Sequence, residues 1–114
     1  MNVDYSKLKE YIIADLSIEL KAEPTFSREI LAVKVENAIR EVMAIRNYEA
    51  AGKNADWVTD DLEKYYVIIR NVALYDFAQI GASFETSHNE NSVNRAWVNR
   101  NSLFAGVRAI SVIF

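Results

Sequence analysis

The single histidine, His88, is the first residue whose side chain could take part in catalysis or bind a metal ion. It lies in a Ser- and Asn-rich stretch between Glu85 and Glu90, and a histidine beside carboxylates can serve in acid–base catalysis. The chain has no second histidine and no cysteine with which to complete a zinc site. The pattern therefore favours a loop histidine that makes local hydrogen bonds, and we predict no catalytic site, metal or cofactor.

Four carboxylates, at positions 56, 60, 61 and 63, form a dense acidic group. A calcium loop needs alternating oxygen ligands and a glycine in its turn, and that spacing is absent. Negative side chains stabilise the first turn of a helix, and Asp60 with Glu63 has the spacing of a capping box. We therefore predict that Asp60, Asp61 and Glu63 begin a helix. Isolated glycines and the lack of a nucleophile motif also indicate a protein that is not an enzyme.

A third group of residues is suited to recognition rather than catalysis. Arg95, Trp97 and Arg100 follow a polar stretch of about a dozen residues, and Trp and Arg are favoured at the energetic centres of interfaces. A long polar loop in a small domain is often functional. We therefore predict an interface here. The alternative is that Trp97 packs back onto the helices while both arginines are solvated.

The elements that position these residues are mainly helical. Asp4 is placed to cap a short first helix whose pattern ends near Asp15, while the alternation in residues 16–20 favours an extended stretch. Ser27 then caps the clearest helix in the sequence, which extends to about Tyr48. Its apolar residues recur at helical spacing: Leu31, Val35, Ala38, Ile39, Val42 and Ile45.

A second long helix is predicted from about residue 60 to Gly81, after a break at which Gly52 is a plausible C-cap. Two long amphipathic helices joined by a short loop pack most simply as an antiparallel pair, with the first helix across their open face. The second helix is apolar over a wide arc, which indicates burial both by the chain itself and by a neighbouring copy. That arc includes Tyr65, Tyr66, Ile68 and Ile69.

The remainder of the chain is a polar stretch, residues 82–101, and then residues 103–110, which have helical spacing with Ser102 as a candidate cap. The sequence thus predicts an all-α protein with a short N-terminal helix, an antiparallel pair of long helices, a polar loop and a short C-terminal helix. It forms a single domain of 1–114, with a helical core at 4–81 and a loop and C-terminal segment at 82–114.

Composition is consistent with such a domain. Apolar residues make up 51% of the 114 residues and charged residues 25%, as in soluble globular proteins. The longest apolar runs have about five residues, whereas a membrane span needs ~20, so we predict no membrane segment. The formal net charge of −3 and the lack of a basic cluster argue against tight binding to duplex DNA. The N-terminus has no signal-peptide pattern, which predicts a cytosolic site of synthesis.

Two neighbouring runs carry a resemblance to a known family. Residues 75–82 read Tyr-Asp-Phe-Ala-Gln-Ile-Gly-Ala, and residues 87–95 read Ser-His-Asn-Glu-Asn-Ser-Val-Asn-Arg. Together they resemble the signature of head–tail connector proteins of long-tailed bacteriophages. In that family a helix ends in a Tyr-Asp-aromatic and Gly-Ala turn, and a polar segment precedes a short C-terminal helix. The match is sharpest over residues 65–110.

The resemblance implies a structural subunit of a ring, expected to be a dodecamer, that docks on the portal protein and joins head to tail. A tail or head-closure protein would bind its other side, and DNA would be only passing cargo in the channel. It implies localisation to the virion, and to the host cytoplasm during assembly. Carried over by position, the residues that contact neighbouring copies or the portal are Ser87, His88, Glu90, Asn91 and Arg95, to which the residue types above add Trp97 and Arg100.

Four alternatives remain open from sequence, and the last of them is a small enzyme, for which the sequence offers no catalytic constellation. Another small virion protein, for tail completion or head closure, would be richer in β structure. A cytosolic helical adaptor would bind neither a portal nor its own copies in a ring. A helix-turn-helix DNA-binding protein would show salt-dependent DNA binding.

Overall fold

A computed structural model describes residues 3–24, 26–79 and 100–110, and the regular secondary structure in these ranges is helical. The helices are α1 (Ser6–Leu20), α2 (Arg28–Arg46), α3 (Ala55–Glu63), α4 (66–79) and a 3₁₀-helix (Arg100–Phe104). These ranges contain no β-strand, which confirms the predicted all-α class. In the same residues, no helix is both long and apolar enough to cross a bilayer.

Helix α1 is longer than the sequence pattern predicted. It begins at Ser6, whose backbone N–H donates to the Asp4 carboxylate over 3.0 Å, and it continues to Leu20. The prediction of an extended stretch at residues 16–20 was therefore wrong. Leu16 and Leu20 extend the buried stripe of Leu8 and Ile12 at a spacing of four residues, so burial keeps this stretch helical.

Helix α2 agrees closely with its prediction. The Ser27 hydroxyl accepts a hydrogen bond from Ile30 N, which satisfies one free N–H of the first turn. The helix ends at Arg46, and Asn47 takes the left-handed conformation (φ 58°) that commonly closes helices. Gly52, predicted as the C-cap, instead lies in the turn that follows, with φ 70°.

The second predicted long helix is divided into two. Helix α3 begins at Ala55, one turn earlier than predicted, because the Asn54 side chain accepts a hydrogen bond from Trp57 N. A turn at residues 64–65 separates α3 from α4. The prediction that Asp60, Asp61 and Glu63 begin a helix was wrong, since all three lie in the second half of α3.

Contacts between side chains give the helix directions. At the start of α1, Lys9 pairs with Glu36 in the middle of α2, and Glu10 one residue later pairs with Arg28 at the start of α2, so these helices run antiparallel. The Arg70 guanidinium of α4 bonds both Asp15 and Glu19.

Helix α4 completes the bundle. Its Tyr66 hydroxyl donates to Asp15 over 3.1 Å, and Arg70, one turn later on α4, donates to Glu19, one turn later on α1. Helix α4 therefore runs parallel to α1. It is antiparallel to α2, because Arg46 covers the Tyr65 ring at one end and Phe26 packs on Phe77 at the other. Helices α1, α2 and α4 surround one hydrophobic core.

The segment 100–110 packs on this core. Val107 is buried in it, and a Cβ added at Gly106 would lie 3.3 Å from Cδ1 of Ile68 on α4. The predicted helix at residues 103–110 was wrong, because the 3₁₀-helix already ends at Phe104. The wide apolar arc of α4 is thus covered on two sides by the chain itself, with Tyr66 toward α1 and Ile68 toward this segment.

Candidate functional site

Arg100 ties the C-terminal segment to two helices at once. Its Nε and Nη2 donate to the two carboxylate oxygens of Asp76 on α4, each over 2.7 Å. Nη1 and Nη2 also donate to Glu41 on α2, over 3.2 and 2.5 Å. A planar guanidinium suits such paired contacts. One side chain therefore bridges α2 and α4 from the groove between them.

The electrostatics of this cluster favour the charged state of the arginine. Hydrogen bonds to Asp76 and then to Glu41 raise the pKa of Arg100 above its ordinary value. Its guanidinium also lies 5.5 Å from the centre of the Phe104 ring, in a cation–π contact within the 3₁₀-helix. The bonds to Asp76 and Glu41 hold the start of the segment against the core, whereas the contact with Phe104 stabilises the 3₁₀-helix itself.

A second arginine, Arg46 at the end of α2, holds the other end of the segment. Its Nε and Nη2 donate to the Asp61 carboxylate over 2.8 and 3.0 Å, and Nη1 donates to the Arg108 carbonyl over 3.0 Å. The Arg46 carbonyl in turn accepts from Ile110 N over 3.1 Å. Backbone and side chain of one residue therefore fix residues 108 and 110.

Asp61 is the one charged residue counted as buried in the described part of the chain, with 4% of its surface exposed. Besides Arg46 it accepts a hydrogen bond from the Tyr48 hydroxyl over 2.7 Å. Burial, and then that hydrogen bond, raise the pKa of Tyr48. Burial alone would lower the pKa of Arg46, but the bonds to Asp61 raise it above its ordinary value.

A third network lies between α1 and α2 around Glu36. This carboxylate accepts hydrogen bonds from the Tyr5 hydroxyl and from Arg40 Nε, and it pairs with Lys9 at 3.1 Å. Burial would raise the pKa of Glu36, but the hydrogen bonds from Tyr5, Arg40 and Lys9 outweigh it and lower the pKa to about 2.

An open cleft of about 740 Å³ lies beside this network and is lined in part by Tyr5, Arg40, Met43 and Tyr48. Tyr5 and Arg40 both donate hydrogen bonds to Glu36, and Tyr48 donates one to Asp61. These polar groups of the cleft therefore already have hydrogen-bond partners within the chain. Across residues 3–24, 26–79 and 100–110, no three His, Cys, Asp or Glu side chains are grouped to hold a metal ion.

Of the predicted interface residues, the structure describes Arg100 alone. Ser87, His88, Glu90, Asn91, Arg95 and Trp97 lie outside the described residues. Arg100 makes its contacts within the chain, and its partners Glu41 and Asp76 were not singled out from sequence. The Arg46–Asp61 pair was also missed. Its signal was the position of Asp61 between Val58 and Leu62, on the buried face of α3.

What this arrangement can do is mechanical. Arg100 and Arg46 attach the segment that follows residues 80–99 to the helical core at both of its ends. Asp76, just before residues 80–99, and Arg100, just after them, are in direct contact. Comparisons with family models, with curated proteins and with solved structures found no match for this chain.

Proposed function

We propose that this protein is a structural subunit of a phage or prophage head–tail connector, a ring that docks on the portal and joins head to tail around a DNA channel. The observation that carries the proposal is the contact between Asp76 and Arg100. Asp76 belongs to the Tyr-Asp-Phe run of the family resemblance, and Arg100 is one of the predicted interface residues. Their pairing brings a residue that precedes 80–99 into direct contact with the residue that follows them.

This contact has a simple role in such a subunit. A polar segment used for docking should be attached to a rigid part of the subunit. A segment that changes position relative to the core fits its partner less well and loses more conformational entropy on binding. The Arg100 bridge supplies this attachment through its contacts with both α2 and α4. The all-helical secondary structure of the described residues supports the same role, since the resemblance implies a helical subunit.

The overall charge is also compatible with this function. A channel that lets DNA pass should not bind phosphates strongly, and a chain with a net charge of −3 offers little to attract them. The subunit would act by self-association and docking alone, with the portal and a tail or head-closure protein as its partners and without catalysis.

A Trp97→Ala variant tests the docking role. We expect it to bind DNA-filled, tailless heads of the encoding phage at least about tenfold more weakly than the wild type, as for loss of an interface anchor. Trp57→Ala is the matched control, because Trp57 lies on α3, where it contacts Tyr48 and Lys53 within the chain. Equal binding by Trp97→Ala and wild type would contradict the proposed docking segment.

A further inference from the structure

The open cleft beside the Glu36 network is lined along one side of α2 and by residues before α1. Residues 40, 43, 44 and 47 recur at the spacing that puts side chains on one side of a helix, and all four line the cleft. The first described residues, 3–5, line it as well. Its volume of about 740 Å³ falls within the range of ~300–1,000 Å³ that is typical of ligand sites. The cleft is therefore large enough to hold a short peptide segment.

The side chains in this cleft favour an apolar occupant. Val3, Met43 and Ala44 are apolar, and the hydroxyls of Tyr5 and Tyr48 already donate hydrogen bonds within the chain. The two tyrosines therefore offer an occupant their rings rather than a free hydroxyl. The remaining lining residues are polar: Asp4, Arg40, Asn47 and Glu49. They carry both signs of charge, so the cleft does not select a ligand of one charge.

The last described residue, Ile110, lies beside this cleft. Its backbone N–H donates to the Arg46 carbonyl over 3.1 Å. That carbonyl belongs to the peptide bond between Arg46 and Asn47, and Asn47 lines the cleft. The Asn47 N–H in turn donates to the carbonyl of Met43, another lining residue, over 3.0 Å. Ile110 is therefore fixed one hydrogen bond away from the cleft lining.

The next four residues have the composition and the reach to fill the cleft. Residues 111–114 are Ser-Val-Ile-Phe, and three of them have large apolar side chains, which are stabilised by removal from water. Between Arg40 and Asn47 the cleft follows α2 over seven residues, or about 10 Å at the helical rise. Four extended residues reach about 13–14 Å. From its anchored start at Ile110, the segment can therefore cover the α2 side of the cleft.

We propose that residues 111–114 bind in this cleft, so that the chain closes its own apolar site. The other nearby segment outside the described residues is Met1 and Asn2, which precede Val3 and supply only one large apolar side chain. With 111–114 in place, the cleft admits an apolar segment of another protein only after that segment displaces them. The contact thus controls access to an interaction surface. It does not depend on the proposed connector function.

NMR of the methionine methyl groups tests the identity of the occupant, because the chain has only two methionines, Met1 and Met43. In the whole chain with ¹³C-labelled methionine methyl groups, we expect a nuclear Overhauser effect between Met43, which lines the cleft, and the ring of Phe114. Phe114→Ala should remove this effect and shift the Met43 methyl resonance. The absence of any effect between Met43 and residues 112–114 would overturn the proposal, and an effect to Met1 instead would place the N-terminal residues in the cleft.

Disulfide formation gives a second test, since the chain has no cysteine of its own. Ala44 and Ala50 are both exposed, but Ala44 lines the cleft whereas Ala50 lies in the turn after α2. Ala44→Cys with Ile113→Cys should form an intramolecular disulfide at least about tenfold faster than the control, Ala50→Cys with Ile113→Cys, because binding raises the effective concentration of the two thiols in the cleft. Equal rates for the two pairs would overturn the proposal.

Discussion

Replacing Arg46 by Met tests whether the buried pair with Asp61 holds the C-terminal segment to the core. Met keeps the length of the aliphatic stem but removes the guanidinium. The substitution deletes two hydrogen bonds to a carboxylate and one to the Arg108 carbonyl. The side chains of Arg46 and Asp61 are only 14% and 4% exposed, so water cannot readily replace the lost partner.

The expected cost follows from this burial. Removing one partner of a buried ion pair leaves an uncompensated charge, which destabilises a protein by about 3–5 kcal/mol. At roughly 4 °C per kcal/mol for a domain of this size, the melting temperature should fall by roughly 12–20 °C. Urea unfolding followed by far-UV circular dichroism measures the free energy directly. Arg28→Met is the control, because its pair with Glu10 is exposed on both sides and should contribute at most about 1 kcal/mol.

A double variant separates the buried charge from simple loss of packing. If the uncompensated carboxylate causes the loss, Arg46→Met combined with Asp61→Leu should recover part of the stability lost in Arg46→Met alone. The reasoning is refuted if Arg46→Met costs no more than Arg28→Met, or if the two substitutions at the buried pair simply add.

Three further predictions concern the rest of the fold. Arg100→Ala should speed amide hydrogen exchange at Ile110, whose N–H donates to the Arg46 carbonyl on α2, because the segment loses its bridge to Glu41 and Asp76. Amides of α1 should keep their exchange rates, and unchanged exchange at Ile110 would contradict this role. The pKa of Glu36 is lowered to about 2 in the folded protein, so the stability that its carboxylate contributes is present above about pH 4.5 and is lost as the pH falls toward 2. In Glu36→Gln, the free energy of unfolding should therefore fall less steeply on the acid side. Parallel curves of this free energy against pH for wild type and variant would refute the prediction. Gly52→Ala should lower the free energy of unfolding in urea by about 1 kcal/mol, because a φ of 70° is unfavourable for alanine even though the added methyl group meets open space. A variant more stable than the wild type would show that reasoning to be wrong.

The sequence was sufficient where local pattern and capping agree. In α2, the apolar spacing from Leu31 to Val42 and the Ser27 cap both point to the same helix, and the structure has it within two residues of the predicted end. The all-α class follows from the same kind of signal. In α1, the alternation in residues 16–20 was misleading, because Ile18 is exposed while Leu16 and Leu20 continue the helical stripe.

The acidic group of α3 shows why local rules failed elsewhere. Carboxylates are common in first turns, so Asp60, Asp61 and Glu63 were assigned there. The contact that explains the position of Asp61 is its hydrogen bond from Arg46, fifteen residues earlier in the chain, which stabilises a buried carboxylate late in a helix. Residue spacing within α3 places Asp61 on the buried face, but it does not identify Arg46 as the partner.

The candidate site was predictable only in part, for the same reason. Arg100 was selected by residue type, and Asp76 lies in the run that resembles the connector family. Their contact spans 24 residues and the contact of Arg100 with Glu41 spans 59, beyond any local pattern. Packing of three helices brings these groups together, so their association required the structure.

The measurement that tests the connector function most directly is the number of copies bound to DNA-filled, tailless heads of the encoding phage. Purified protein is titrated onto the heads, bound copies are counted after sedimentation, and electron microscopy locates them. The proposed function predicts saturation at a small fixed number of copies, all at the portal vertex. A folded sample that does not bind, or that binds over the whole shell without saturation, would contradict it.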